Sequence, residues 1–243
     1  ASVLDFMESL LGRWATSSLP WAISSFRPFL TFTGRSDLVD AVNLARVRRS
    51  RRIVEILSEA DLGKVVHACT DGAVGARDAA ITLLALSTGL RACDIINLRL
   101  ADIDWRARTV SIVQVKTGNP LTLPLPDLIS ARLGEYILTG RPSSDDERVF
   151  LRTKAPHTPL SDHAAIYCIT AKVFDAAGVG HAKAGTSLLR HSAASRLVAA
   201  GVPLPTISAV LGHASAESTN GYISVDQERL RACVLPVPAG ARP

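Results

Sequence analysis

The stretch 109–125, TVSIVQVKTGNPLTLPL, decides the fold class of this 243-residue chain. Thr109 to Val115 is rich in β-branched side chains, Lys116 to Pro120 collects turn residues, and Leu121 to Leu125 alternates apolar with other residues. β-branched residues suit a pleated surface, and a short gap holding Gly and Asn closes two such runs into an antiparallel hairpin. On either side the apolar spacing changes to a helical period. The chain is therefore expected to be mainly α with a small antiparallel β-sheet, an α+β fold.

Working outward, residues 77–88 read as an apolar helix ended by Gly89, and a second helix begins around Arg91 and runs through Ile95, Ile96 and Leu98. Further upstream, Ser58 followed by Glu59 and Asp61 marks a helix start leading into Leu62, Val65, Val66 and Cys69. Downstream, helical patterns recur at about 127–138, 162–177, 187–200, 204–211, 216–223 and 226–233, separated by Gly or Pro. The first fifty residues hold two helical pieces, near 3–15 and 21–32, the second with Trp21, Phe26, Phe29, Leu30 and Phe32 on a broad apolar face that reads as packing. Residues 41–52 read as a basic connector. The expected organisation is a partial N-terminal helical domain at 1–45, a basic linker at 46–54, a main domain at 55–235 and a flexible tail at 236–243.

A hydrophobic fraction of 47% in 243 residues is enough for a sizeable core and excludes a disordered chain. The net charge of +5 favours a polyanionic partner only weakly, whereas its distribution says more: Arg46, Arg48, Arg49, Arg51 and Arg52 fall within seven residues. Such a cluster neutralises phosphates and yields salt-dependent DNA affinity, although a solvated linker has the same composition. Cys69, Cys93, Cys168 and Cys233 are far apart with no CxxC spacing, which argues against a zinc site or disulfide framework and for a reducing compartment, the cytoplasm. The apolar run 79–86 is too short to span a bilayer. No membrane role, metal or cofactor is expected.

Five residues carry chemistry. Arg91 follows the helix-ending Gly89, with Asp94 three residues on, where a carboxylate can orient the guanidinium. Arg190 opens another helix, whose N-terminal field also favours an anion, so two arginine forks from distant segments can grip one phosphate. Lys116 at the hairpin tip can reach into a groove and protonate a leaving oxygen. His213 follows a Leu–Gly helix end, and Tyr222 lies nine residues further, after a helix-weakening Gly221. Taken singly, each also fits a structural role: a surface ion pair, a turn lysine, a capping histidine, a core tyrosine.

In order and spacing, the ThrGlyLeuArg box at Arg91, the hairpin lysine Lys116, the ArgHis box of Arg190 and His191, the LeuGlyHis box at His213 and Tyr222 resemble the catalytic domain of the tyrosine recombinases, the phage-type integrases, over about residues 55–233. The resemblance implies a metal- and ATP-independent enzyme that cleaves and rejoins double-stranded DNA through a 3′-phosphotyrosine. In it Tyr222 is the nucleophile, Arg91, Arg190 and His213 hold the phosphate, Lys116 is the general acid, and Asp94 and His191 give support. It further implies a homo-tetramer on paired DNA sites, with the connector arginines crossing the duplex. One departure stands out: Ser187 occupies the place where the family usually carries a histidine or lysine, and its hydroxyl reads as a helix N-cap. Ser187 leaves a catalytically weak DNA-binding derivative open as an alternative, and shared chemistry leaves a type IB topoisomerase.

Overall fold

The computed structural model describes residues 5–6, 9–10, 13–14, 18–35, 37–44, 54–180 and 185–212. Two compact units result, Ala1–Arg52 and Ile53–Pro243. The expected helices at 216–223 and 226–233, His213, Tyr222, the five connector arginines and the tail at 236–243 lie outside the described residues.

In the first unit α1 (Leu19–Phe32) is followed by α2 (Asp37–Leu44), with a left-handed Gly34 between them. Leu10, Leu19 and Ala22 form a small buried cluster with Ile23 against it. The aromatic face expected to be packing is largely uncovered: Trp21 is 68%, Phe29 57% and Phe32 89% exposed, while Leu30 is buried. A unit as small as Ala1–Arg52 buries only part of its apolar surface; Phe26 keeps neighbours in Phe6 and Phe29, with ring centroids 5.2 and 6.3 Å away. Residues 41–44, read from the sequence as connector, are the end of α2.

The second unit begins with α3 (Glu59–Ala68), where Ser58 Oγ accepts the Asp61 N–H at 3.1 Å. Then come α4 (Ala76–Thr88), α5 (Ala92–Ile96), a 3₁₀ turn at Leu100–Asp102, β1 (Ile103–Asp104), β2 (Thr109–Val113), β3 (Pro120–Pro124) and α6 (Asp127–Glu135). A π turn at Tyr136–Gly140, α7 (His163–Ala176), α8 (Thr186–Ala199) and α9 (Leu204–Leu211) complete it. The sheet is antiparallel in the order β1-β2-β3, with Val110 opposite Leu123 and Val113 opposite Pro120. Pro120 opens an edge strand, where its missing N–H leaves no ladder bond broken.

Helix α4 is the axis of the core. Every residue from Ala79 to Leu86 is buried, so this stretch has no solvent face, and α6, α7 and α8 pack around the helix. Ala79, Ala80 and Ala85 on α4 and Ala193 and Ala194 on α8 are all buried, small enough to let helix backbones approach closely. Ser192, also buried, accepts the Leu57 N–H at 2.9 Å and donates to Leu188 O, which ties the start of this unit to α8. The α+β class read from the hairpin is the observed one.

Candidate functional site

The ThrGlyLeuArg box turns the chain between α4 and α5. Thr88 Oγ1 donates back to Leu84 O at 2.6 Å and accepts the Leu90 N–H at 3.3 Å, Gly89 caps α4 at φ 64°, and Leu90 is buried. A side chain at Gly89 would be strained by the left-handed backbone, and its Cβ would lie 2.8 Å from Leu211 Cδ2. Arg91 then leaves the turn in an extended conformation as the N-cap of α5, and its side chain makes no capping hydrogen bond to that helix. Its Nη2 donates to Gly212 O at 2.7 Å.

Arg190, expected in the first turn of its helix, lies on the second turn of α8 because that helix starts at Thr186, and it is only 8% exposed. Its Nη1 donates to Gly89 O at 2.7 Å and its Nη2 to Leu211 O. Gly89 ends α4, and Leu211 and Gly212 end α9, so these carbonyls are among those a helix leaves without an internal partner. A cation at the negative end of a helix is stabilised there, which gives both arginines a reason to sit where they do. Each guanidinium carries five donors, and Arg91 Nη1 is buried with no hydrogen-bond partner among the described residues. The two arginines thus converge on one turn, and His213 is the next residue in the chain.

Lys116 is exposed in the turn between β2 and β3. Asp94, expected to hold the Arg91 guanidinium, makes no ion pair with it; Oδ1 accepts the Val115 N–H at 2.9 Å instead. The reason is local. Arg91 has extended rather than helical backbone angles, so the neighbour relation of residues three apart on one helix does not apply. Asp94 is 3% exposed, and its Oδ2 has no hydrogen-bond partner among the described residues. It supports the lysine hairpin rather than the arginine.

Ser187, expected to cap α8, does not. Gly185 is the N-cap and Ser187 is exposed inside the first turn. Packing fixes the start of that helix, because a Cβ at Gly185 would stand 2.9 Å from Tyr167 Cδ2, and a glycine fits there. His191 follows Arg190 on α8 and is half-buried.

One contributor was missed in the sequence. Gln114 is 1% exposed and ends the inward series Val110, Ile112, Gln114, so a polar residue on the apolar face of a strand was the signal. Its side chain lies against Gly212, where an added Cβ would run into the Gln114 amide. Gly212 is itself left-handed at φ 61°. The hairpin, α5, α8 and the end of α9 therefore meet at one place. No cluster of three or more His, Cys, Asp or Glu side chains able to hold a metal occurs among the described residues.

The second unit is thus mostly helical with a small antiparallel sheet, and it brings two arginines to one turn with a lysine hairpin tied beside them. Residues 55–229 match the model of the phage integrase family. The chain belongs to that family, the tyrosine recombinases. It is 37% identical over 165 residues to the integrase/recombinase y4gC of Sinorhizobium fredii, covering 68% of this chain and 84% of that protein. It is 30% identical to y4rA of the same organism, where the match covers 100% of this chain and only 60% of the relative, so the chain spans well under the full length of that protein. Among solved structures, the XerH site-specific recombinase in a post-cleavage complex with a palindromic difH substrate shares the fold at a TM-score of 0.66 and 22% identity, over 76% of this chain and 54% of that one.

Proposed function

We propose that this chain cleaves and rejoins DNA strands as a site-specific recombinase with Tyr222 as its nucleophile. The observation that carries the reading is the convergence of Arg91 and Arg190 on the carbonyls of Leu211 and Gly212, directly before His213. Positioned cationic donors, with Arg91 Nη1 unpartnered among the described residues, suit a phosphate whose negative charge grows in the transition state.

The phenolic oxygen of Tyr222 attacks phosphorus in line, its proton passing to water, while the bond from phosphorus to the 5′-oxygen breaks. Lys116 gives its proton to that oxygen. The products are a 3′-phosphotyrosine and a free 5′-hydroxyl, and the energy of the phosphodiester stays in the new bond. A 5′-hydroxyl from a second strand reverses the step, so neither ATP nor a metal ion enters the chemistry. Recombination between paired sites needs four such strands handled together, which calls for a homo-tetramer on double-stranded DNA. Residues 1–45 and the arginine connector at 46–54 hold the duplex alongside the catalytic unit.

The test is covalent capture. The full chain is incubated in EDTA with a pool of random-sequence nicked duplexes, and DNA that resists denaturant is recovered and sequenced. Wild type is expected to yield an adduct whose DNA-bearing peptide contains Tyr222, and Tyr222→Phe to yield none while binding duplex as before. An adduct on another residue, or none from wild type, sinks the proposal. A second reading, a DNA-binding derivative without cleavage, is favoured by one feature, Ser187. Ser187 is exposed, so histidine fits there without repacking. Capture by Ser187→His but not by wild type would establish that second reading.

A further inference from the structure

We infer that Gln114 is a positioning residue for Lys116, holding the turn that carries the lysine against the Leu211–Gly212 turn on which the two arginines converge. The inference rests on the reading of Lys116 as general acid.

Gln114 closes the neck of the hairpin with its backbone and reaches out of it with its side chain. Its N–H donates to Asn119 O at 2.9 Å and its carbonyl accepts the Gly118 N–H at 2.8 Å. The side-chain amide then faces two ways. Oε1 accepts the hydroxyl of Thr117, next to the lysine, at 2.8 Å, and Nε2 donates to Val210 O in the last turn of α9 at 3.4 Å. The same amide fills the space beside Gly212 where a Cβ would collide with it. One buried group therefore touches both the turn with the lysine and the turn that accepts the arginines.

The choice of residue supports a positioning role. After Val110 and Ile112, a leucine would satisfy the apolar face, whereas a buried amide is costly unless both its ends are bonded. Here both ends are. A glutamate would turn the donor to Val210 O into a second acceptor and set two oxygens against each other. The residue on the other side of Lys116 is held as well, since Asp94 Oδ1 accepts the Val115 N–H at 2.9 Å. The lysine is thus bracketed by fixed neighbours while its own side chain stays exposed. A four-carbon stem is flexible, so fixing its Cα is the means by which a protein can aim the ammonium.

This role makes a prediction that a purely structural one does not. In cleavage the phosphorus–oxygen bond breaks and the departing 5′-oxygen takes the Lys116 proton, leaving a neutral amine. If sulfur replaces that bridging oxygen, the leaving group departs as a thiolate and needs no proton, because thiols are far stronger acids than alcohols. A defect confined to the general acid is therefore rescued by sulfur.

A duplex obtained by covalent capture on the wild-type full chain is synthesised with oxygen or sulfur at the 5′-bridging position, and cleavage rates are compared for wild type, Gln114→Leu and Lys116→Ala. Gln114→Leu should cleave the oxygen substrate about ten- to a hundred-fold more slowly, part of the roughly 10²–10⁴-fold effect of a positioned general acid, and the sulfur substrate at close to the wild-type rate. Should Gln114→Leu not fold, Thr117→Val removes a single hydroxyl from the same chain of bonds and should show the same pattern, smaller in size. Equal slowing on both substrates, or no slowing on oxygen, overturns the inference. Lys116→Ala separates the two levels: if sulfur fails to rescue it, the general-acid reading falls. If sulfur rescues Lys116→Ala but not Gln114→Leu, only the role of Gln114 falls.

Discussion

Arg91 and Arg190 have the same chemistry but different burdens. Arg190 is buried and satisfies two main-chain carbonyls from two different helices, whereas Arg91 is half-buried and satisfies one. A buried acceptor that loses its donor costs the full desolvation of that group. Arg190→Ala should therefore destabilise the protein by about 2–4 kcal/mol and Arg91→Ala by roughly 1–2 kcal/mol, as read from urea unfolding midpoints. The reverse order would mean that the carbonyl contacts do not set the stability of this turn. Cys69 offers a second test, because burial, reinforced by Asp71, pushes its thiol up to about 12. In the unfolded chain the thiol loses its proton near the ordinary value of 9.0, while the folded state keeps it, so the native state holds more protons between these values. Stability must then fall as pH rises above about 9, by up to roughly 1.4 kcal/mol per pH unit from this group. Lysines and tyrosines titrate in the same window, so the measurement is the difference in slope between wild type and Cys69→Ala, which should be flatter. Identical slopes would show that the thiol is not held protonated.

At the scale of elements, two helix ends do the assembling. α4 ends at Gly89 and α9 at Gly212, both left-handed, and each glycine is approached from across the fold, Gly89 by Leu211 and Gly212 by Gln114. Gly212→Ala meets the left-handed backbone cost of about 1–2 kcal/mol and also displaces the Gln114 amide. It should lower the unfolding midpoint accordingly and abolish covalent capture of DNA; a variant as stable and active as wild type would show that this turn tolerates rearrangement. The helices were legible in the sequence because each carries its own period and punctuation: 204–211 matches as read, and 77–88 became Ala76–Thr88. β1, at two residues, has no period to read, and α2 was hidden because the chain toward the arginine cluster reads as charge rather than as a face. The candidate residues Arg91, Lys116 and Arg190 were legible for a similar reason, since each sits in a short local box. What joins them was not legible. Asp94 turning to Val115, Gly185 rather than Ser187 capping α8, and Gln114 reaching Val210 all depend on which elements meet, and no local spacing encodes that.

At the scale of the whole molecule, the chain divides at Arg52, the last of the five clustered arginines. Neutralising a phosphate releases a condensed counterion, so each arginine that touches the DNA backbone adds about 0.9 to the steepness of log affinity against log salt. Replacing Arg46, Arg48, Arg49, Arg51 and Arg52 together with glutamine should flatten that slope by up to about 4 to 5 and weaken binding to all duplexes alike, since phosphate contacts carry no sequence information. The second unit, with its core built around α4, should keep its unfolding midpoint, because none of these arginines belongs to it. Affinity measured by fluorescence anisotropy at several salt concentrations, on a captured duplex and on an unrelated one, separates the possibilities. A slope unchanged by all five substitutions would remove the connector from the DNA interface and leave phosphate binding to the catalytic unit alone. A loss confined to the captured duplex would instead mean that these arginines read bases.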